Sequence, residues 1–163
     1  METSFAAHFR RLFDYERDAH QKILASLAAV PAKARDTTFQ EALDLFGHVL
    51  AARLLWLARF GVGQQPETAF PKNTSLEELS QLAASMHSTW SHYLAGLNDA
   101  GLQDVFEYKS LEGESCKSIW SDVLTQLYGH SLYHAGQIAS RVRALGSDPA
   151  VTDFIYWSRK VTV

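Results

Sequence analysis

Cysteine is almost missing from this chain. Cys116 stands alone in 163 residues, so no internal disulfide can form and the fold must be held by its core. Long uncharged apolar runs are also missing. Arg53 and Arg59 break the most apolar stretch well short of the about 18 residues a membrane span needs, which excludes a transmembrane helix. Cations are not in excess: 15 Lys and Arg against 18 Asp and Glu give a net charge of -3. A nucleic-acid binder held by phosphate neutralisation is therefore not expected. The short clusters Arg10-Arg11 and Arg141 with Arg143 read as solvated helix flanks. No basic start with an apolar run and a small-residue cleavage site follows Met1, so a cytoplasmic protein is expected.

What is present is apolar surface, 47% of residues, in a length suited to one globular domain over 1–163. The apolar positions repeat every three or four residues in four segments. Helix 1 is expected from about Ser4 to Ala29, with Phe5, Phe9, Leu12, Ile23 and Leu27 on one face and Pro31 just beyond. Helix 2 opens on a capping box, Thr38 with Glu41, and carries Phe39, Leu43, Phe46, Leu50, Leu54 and Leu57 to Gly61. Helix 3 opens on a second box, Ser75 with Glu78, and carries Leu79, Leu82, Met86, Trp90, Tyr93 and Leu97 to Gly101. Helix 4 is expected from Ser118 through Leu127 and Ile138 to Leu145, stopped by Gly146 and Pro149. The pattern is an all-α four-helix bundle.

Short links force antiparallel neighbours, whereas a long one can return the chain along the bundle. Between Gly61 and Thr74 two glycines and two prolines lie without helical pattern. This crossover makes helices 2 and 3 run the same way, giving up-down-down-up wiring. Before helix 4, Val105-Phe106-Glu107-Tyr108-Lys109 and Glu114-Ser115-Cys116-Lys117 flank Glu112-Gly113 and read as a small β-hairpin.

The chemistry concentrates in Leu127-Tyr128-Gly129-His130-Ser131-Leu132-Tyr133-His134-Ala135-Gly136-Gln137. Residues four apart stack on one helix face, so His130 and His134 can converge on one metal ion. His48, at a similar depth in helix 2, can add a third imidazole and leave a position open for water or substrate. Zn, Ni or Fe would all accept such ligands. A chain with seven histidines also produces this spacing by chance. Ser131 stands where a His-Glu-x-x-His zincin carries its general base, so any base must come from another helix.

Glu16 and His20 interrupt the helix 1 seam four apart. They either face the site, with Glu16 as general base and His20 as its partner, or form an exposed edge. Gln137 either orients a ligand or substrate, or bonds to helix backbone. Tyr128 and Tyr133 read as packing residues, and Trp56 and Trp90 as core. His8, His87, His92 and Cys116 receive no chemistry.

Several features together give a resemblance over nearly the whole length. They are the mid-helix His48, the crossover after Gly61, the hairpin, and the string His130-Ser131-Leu132-Tyr133-His134-Ala135-Gly136-Gln137-Ile138. Arg143-Ala144-Leu145-Gly146 and Asp153-Phe154-Ile155-Tyr156-Trp157 complete the set. The chain resembles the DinB/YfiT-like family of metal-binding four-helix bundles. That resemblance implies a divalent metal, commonly Zn or Ni, on His48, His130 and His134, and a homodimer. It also implies a small-molecule substrate, since characterised relatives include S-transferases and an isomerase that use low-molecular-weight thiols. Many other relatives have no assigned reaction and carry only the label of hydrolase. Ala135 departs from the pattern, because many members have arginine there. Thiol S-transfer is the leading expectation, with metal-dependent hydrolysis or a non-catalytic metal-binding stress or interaction role as alternatives.

Overall fold

The structure is a computed structural model, and it describes residues 4–160. Four long helices supply most of it: α1 (Phe5–Ala29), α2 (Thr37–Arg59), α3 (Leu76–Ala95) and α4 (Trp120–Ala144). Each begins or ends for a local reason. Ser4 Oγ accepts the amide of Ala7 at the start of α1. Beyond its end, the Arg35 guanidinium donates to the free carbonyls of Ala28 and Val30, both at 3.0 Å.

The expected Thr38–Glu41 box does not form on α2. Asp36 caps this helix instead, its carboxylate accepting from the amides of Thr38 (2.8 Å) and Phe39 (3.3 Å). A carboxylate satisfies two free donors and also suits the positive end of the helix, so it outcompetes a threonine. Glu41 is thereby released and pairs with Arg141 of α4 at 3.1 Å. The second box, Ser75 with Glu78, forms as expected at α3. That helix stops at Gly96, short of Gly101, and Gly101–Gln103 make a separate 3-10 turn.

Strands β1 (Val105–Lys109) and β2 (Ser115–Ile119) form the expected hairpin, in register from Val105 opposite Ile119 to Lys109 opposite Ser115. Gly113 supplies its turn at φ +88°. Because Ser118 is paired with Phe106 in the ladder, α4 begins at Trp120 and not at Ser118. A short helix, α5 (Phe154–Ser158), was not expected. It lays Phe154 and Trp157 edge-on against the ring of Tyr15 in α1.

The apolar seams meet in one core of Phe9, Phe13, Leu27, Phe46, Leu50, Met86, Trp90, Leu127 and Ile138, drawn from all four long helices. α2 lies against α3 and α4, and α1 against the same two. The α2 and α4 seams are therefore in contact along the stretch that carries the three histidines.

A three-histidine candidate metal centre

His48 comes from α2, and His130 and His134 come from successive turns of α4. The packing of those helices brings the three rings edge to face, with centroids 4.5 to 5.0 Å apart. His130 Nε2 lies 3.0 Å from His48 Nε2 and 3.1 Å from His134 Nε2. One ligand atom from each residue falls within 4.8 Å of the others.

The opposite ring nitrogens explain how these atoms are presented. His48 Nδ1 lies 2.6 Å from the carbonyl of Ala69, which can only accept, so Nδ1 carries the proton and Nε2 the lone pair. His134 Nδ1 donates likewise to Gln137 Oε1 at 2.7 Å, one turn along α4. Two fixed lone pairs thus flank His130 Nε2, which has one proton at most to share between them. The cluster holds more acceptors than protons, and a cation is what such a donor set accommodates. Zn–N bonds of about 2.0–2.1 Å in a tetrahedron place ligand nitrogens about 3.3 Å apart, a few tenths wider than the two separations from His130 Nε2. The three residues fit a divalent ion.

Protonation is disfavoured at the same place. Burial, then the neighbouring His134 and His48 rings, push His130 down to about 4. Burial also lowers His134, against the opposing bond to Gln137. Both imidazoles are therefore neutral at pH 7, the form that ligates metal.

A cleft of about 410 Å³ opens beside His48 and His134. Its walls carry two ion pairs, Arg141 with Glu41 (3.1 Å) and Lys72 with Asp44 (3.7 Å). Phe70 lies face to face on the His48 ring, 4.6 Å away and 8° from parallel, and remains 60% exposed.

The DinB family model matches residues 1–160. The chain belongs to the DinB family. No curated protein matches it. Among solved structures it is similar to a DinB-like protein from Bacillus cereus ATCC 10987, with a TM-score of 0.67 and 18% identity. That match covers 93% of this chain and 99% of the other. At such identity the likeness shows the DinB-like fold.

Glu16 and His20 of this DinB chain are not on an exposed edge, being 2% and 1% exposed. Neither joins the three ligating atoms. The Glu16 carboxylate accepts from Arg53 Nε at 3.0 Å and from Arg53 Nη2. Burial pushes the Glu16 carboxyl up while Arg53 opposes the shift. His20 Nε2 lies 2.9 Å from Ser131 Oγ, and His20 Nδ1 lies 2.9 Å from His87 Nε2. Burial lowers His20 well below the usual histidine range and His87 to about 4. This buried chain of polar groups sits behind the metal-site face of α4, since Ser131 follows His130 directly. Gln137 turns its amide oxygen to His134 and not to helix backbone. Tyr133 is 66% exposed, against the expectation that it packs, and its edge faces the His134 ring.

Sequence reasoning passed over His87, Phe70 and the Ala69 carbonyl. A signal existed for Arg53 alone: a cation inside an apolar seam requires a buried counter-charge, and Glu16 interrupts the facing seam of α1.

Proposed function

We propose that this DinB protein is a divalent-metal-dependent enzyme acting on a small molecule, with transfer of a thiol sulfur to an electrophile as its reaction. The observation that carries the reading is the convergence of three Nε2 atoms beside a cleft that His48 and His134 line, those two fixed as lone pairs by Ala69 and Gln137. His48, His130 and His134 would hold Zn or Ni. When bound, such an ion supplies a Lewis acid that makes a thiol or water acidic at neutral pH.

The other steps belong to the chain's own side chains. Asp44 is one turn before His48 on α2 and shares the cleft with it, whereas Glu16 is committed to Arg53. Asp44 is therefore the cleft carboxylate placed to receive the proton, with Lys72 Nζ 3.7 Å from it. Arg141 and Lys72 offer cationic partners to a charged substrate or to a low-molecular-weight thiol, and Phe70 offers a flat apolar face. The bundle is wired up-down-down-up in this reading, and the family resemblance supports a cytoplasmic homodimer.

Purified protein loaded with Zn²⁺ or Ni²⁺ should accelerate conjugation of a low-molecular-weight thiol to a model electrophile, and His134→Ala should abolish the acceleration. A rate equal to background with several thiols sinks S-transfer. Turnover of esters or amides in a parallel panel would replace it with hydrolysis.

A further inference from the structure

The crossover between α2 and α3 contacts α2 along a single line. Gln40 Nε2 donates to the Thr74 carbonyl at 3.1 Å, Asp44 pairs with Lys72, and the His48 ring bonds to Ala69 and stacks on Phe70. Gly47 completes the line. A Cβ at Gly47 would lie 3.0 Å from Pro71 Cγ, 3.4 Å from Leu79 and 3.5 Å from Thr74 Oγ1. Positions 40, 44, 47 and 48 fall on one helical stripe, so the whole segment is laid along one face of α2. Asn73, at φ +57°, makes the left-handed turn that brings Thr74 back to Gln40 and delivers the chain to the Ser75 cap.

We infer that residues 69–74 are a clamp that fixes the tautomer and orientation of His48 for metal binding, and that Gly47 is the positioning residue that lets it seat. The inference rests on the metal-site reading above. Helix propensity disfavours glycine in the middle of α2, and Gly47 φ is not in the left-handed region, so its backbone does not require glycine. Pro71 is what crowds the position, since its Cγ would have to give way by a few tenths of an ångström to admit a Cβ. With Pro71 seated on bare Cα, Ala69 two residues earlier reaches His48 Nδ1 and Phe70 closes over the ring. A side chain at 47 would lift the segment and release both contacts, leaving His48 free to exchange tautomers and to turn. Partners behind a metal-bound histidine typically account for about 10–100-fold in metal affinity.

The test uses full-length protein and Zn²⁺ competed against a chromophoric chelator, with ¹⁵N NMR of the metal-free protein to read the His48 tautomer. Wild type should show His48 protonated at Nδ1. Gly47→Val should lose that signature and bind zinc at least about tenfold more weakly. Gly47→Ala should shift both readouts in the same direction and less far. Because alanine favours helix, weaker binding in that variant cannot arise from fraying of α2. Adding Pro71→Ala, which removes the atom the new methyl meets, should recover most of the affinity lost by Gly47→Ala.

Where wild type binds zinc, unchanged affinity in Gly47→Val or failure of Pro71→Ala to rescue would overturn the clamp, and mixed His48 tautomers in wild type would overturn it whether or not zinc binds. Wild type that takes up no zinc yet keeps His48 protonated at Nδ1, a proton that Gly47→Val releases, would sink the metal-site reading and leave the clamp standing.

Discussion

Arg53 and Glu16 are both almost completely buried, at 4% and 2% exposed, and each is the other's charge partner. The guanidinium also lies over the Trp90 and Phe13 rings, 5.0 and 5.5 Å from their centroids. Removing one member of such a pair strands the other charge in the core. Arg53→Leu should therefore cost about 3–5 kcal/mol in urea denaturation, and Arg53→Leu combined with Glu16→Leu should recover much of it. A double variant no more stable than Arg53→Leu would show that Glu16 needs no partner. Gln137 supplies a second residue-scale expectation. Gln137→Leu removes the acceptor that fixes His134, and zinc affinity should fall about 10–100-fold while the metal-free fold stays intact. Much of this detail was written in the sequence: the paired histidines announce themselves by spacing, and His48 by its depth in helix 2. Ala69 could not be anticipated, because a backbone carbonyl leaves no trace in residue identity. Glu16 was legible as an interruption of a seam, but its direction required the position of Arg53.

Elements start where the best local donors and acceptors are, and α2 shows that two adjacent candidates can compete. Asp36 wins over Thr38 because it accepts two amides and brings charge to the helix start. Asp36→Ala should lower stability by about 1 kcal/mol, whereas Thr38→Ala should change it little. The reverse order in thermal melts would restore the threonine box. The same logic explains which element boundaries could be read from sequence. Thr74 with Glu77 has the same spacing as Ser75 with Glu78, but the Thr74 carbonyl is bonded to Gln40, and the α3 start is where the Ser75 box puts it. The α4 start shifted by two residues because ladder pairing of Ser118 with Phe106 is a tertiary demand on a residue that could equally have capped a helix. The α5 turn escaped because five residues carry too little periodicity to register.

At the scale of the whole molecule, buried neutral histidines tie stability to pH. His20 and His87 touch each other between α1 and α3, with Ser131 of α4, Glu16 of α1 and Arg53 of α2 around them. Both are held below the ordinary value, His87 at about 4 and His20 well below the usual range, chiefly by burial. Above about pH 6.5 the rings are neutral whether folded or not, and they add no pH dependence. From about 6.5 down to about 4 the unfolded chain takes up protons that the folded chain refuses, so stability falls as pH falls. Each such ring contributes a slope of up to about 1.4 kcal/mol per pH unit within that window. His130 and His134 add to it in metal-free protein, with the same sign, because burial lowers both. A bound ion would oppose the loss by stabilising the folded state, by about 2.7 kcal/mol at a free concentration one hundred times Kd. The two contributions separate by mutation. Urea unfolding of metal-free His87→Asn between pH 7.5 and 5 should show a slope shallower by up to one proton, with stability at pH 7.5 changed only by the lost bond to His20. An unchanged slope would mean that His87 takes up its proton while folded, and that the core opens to admit it.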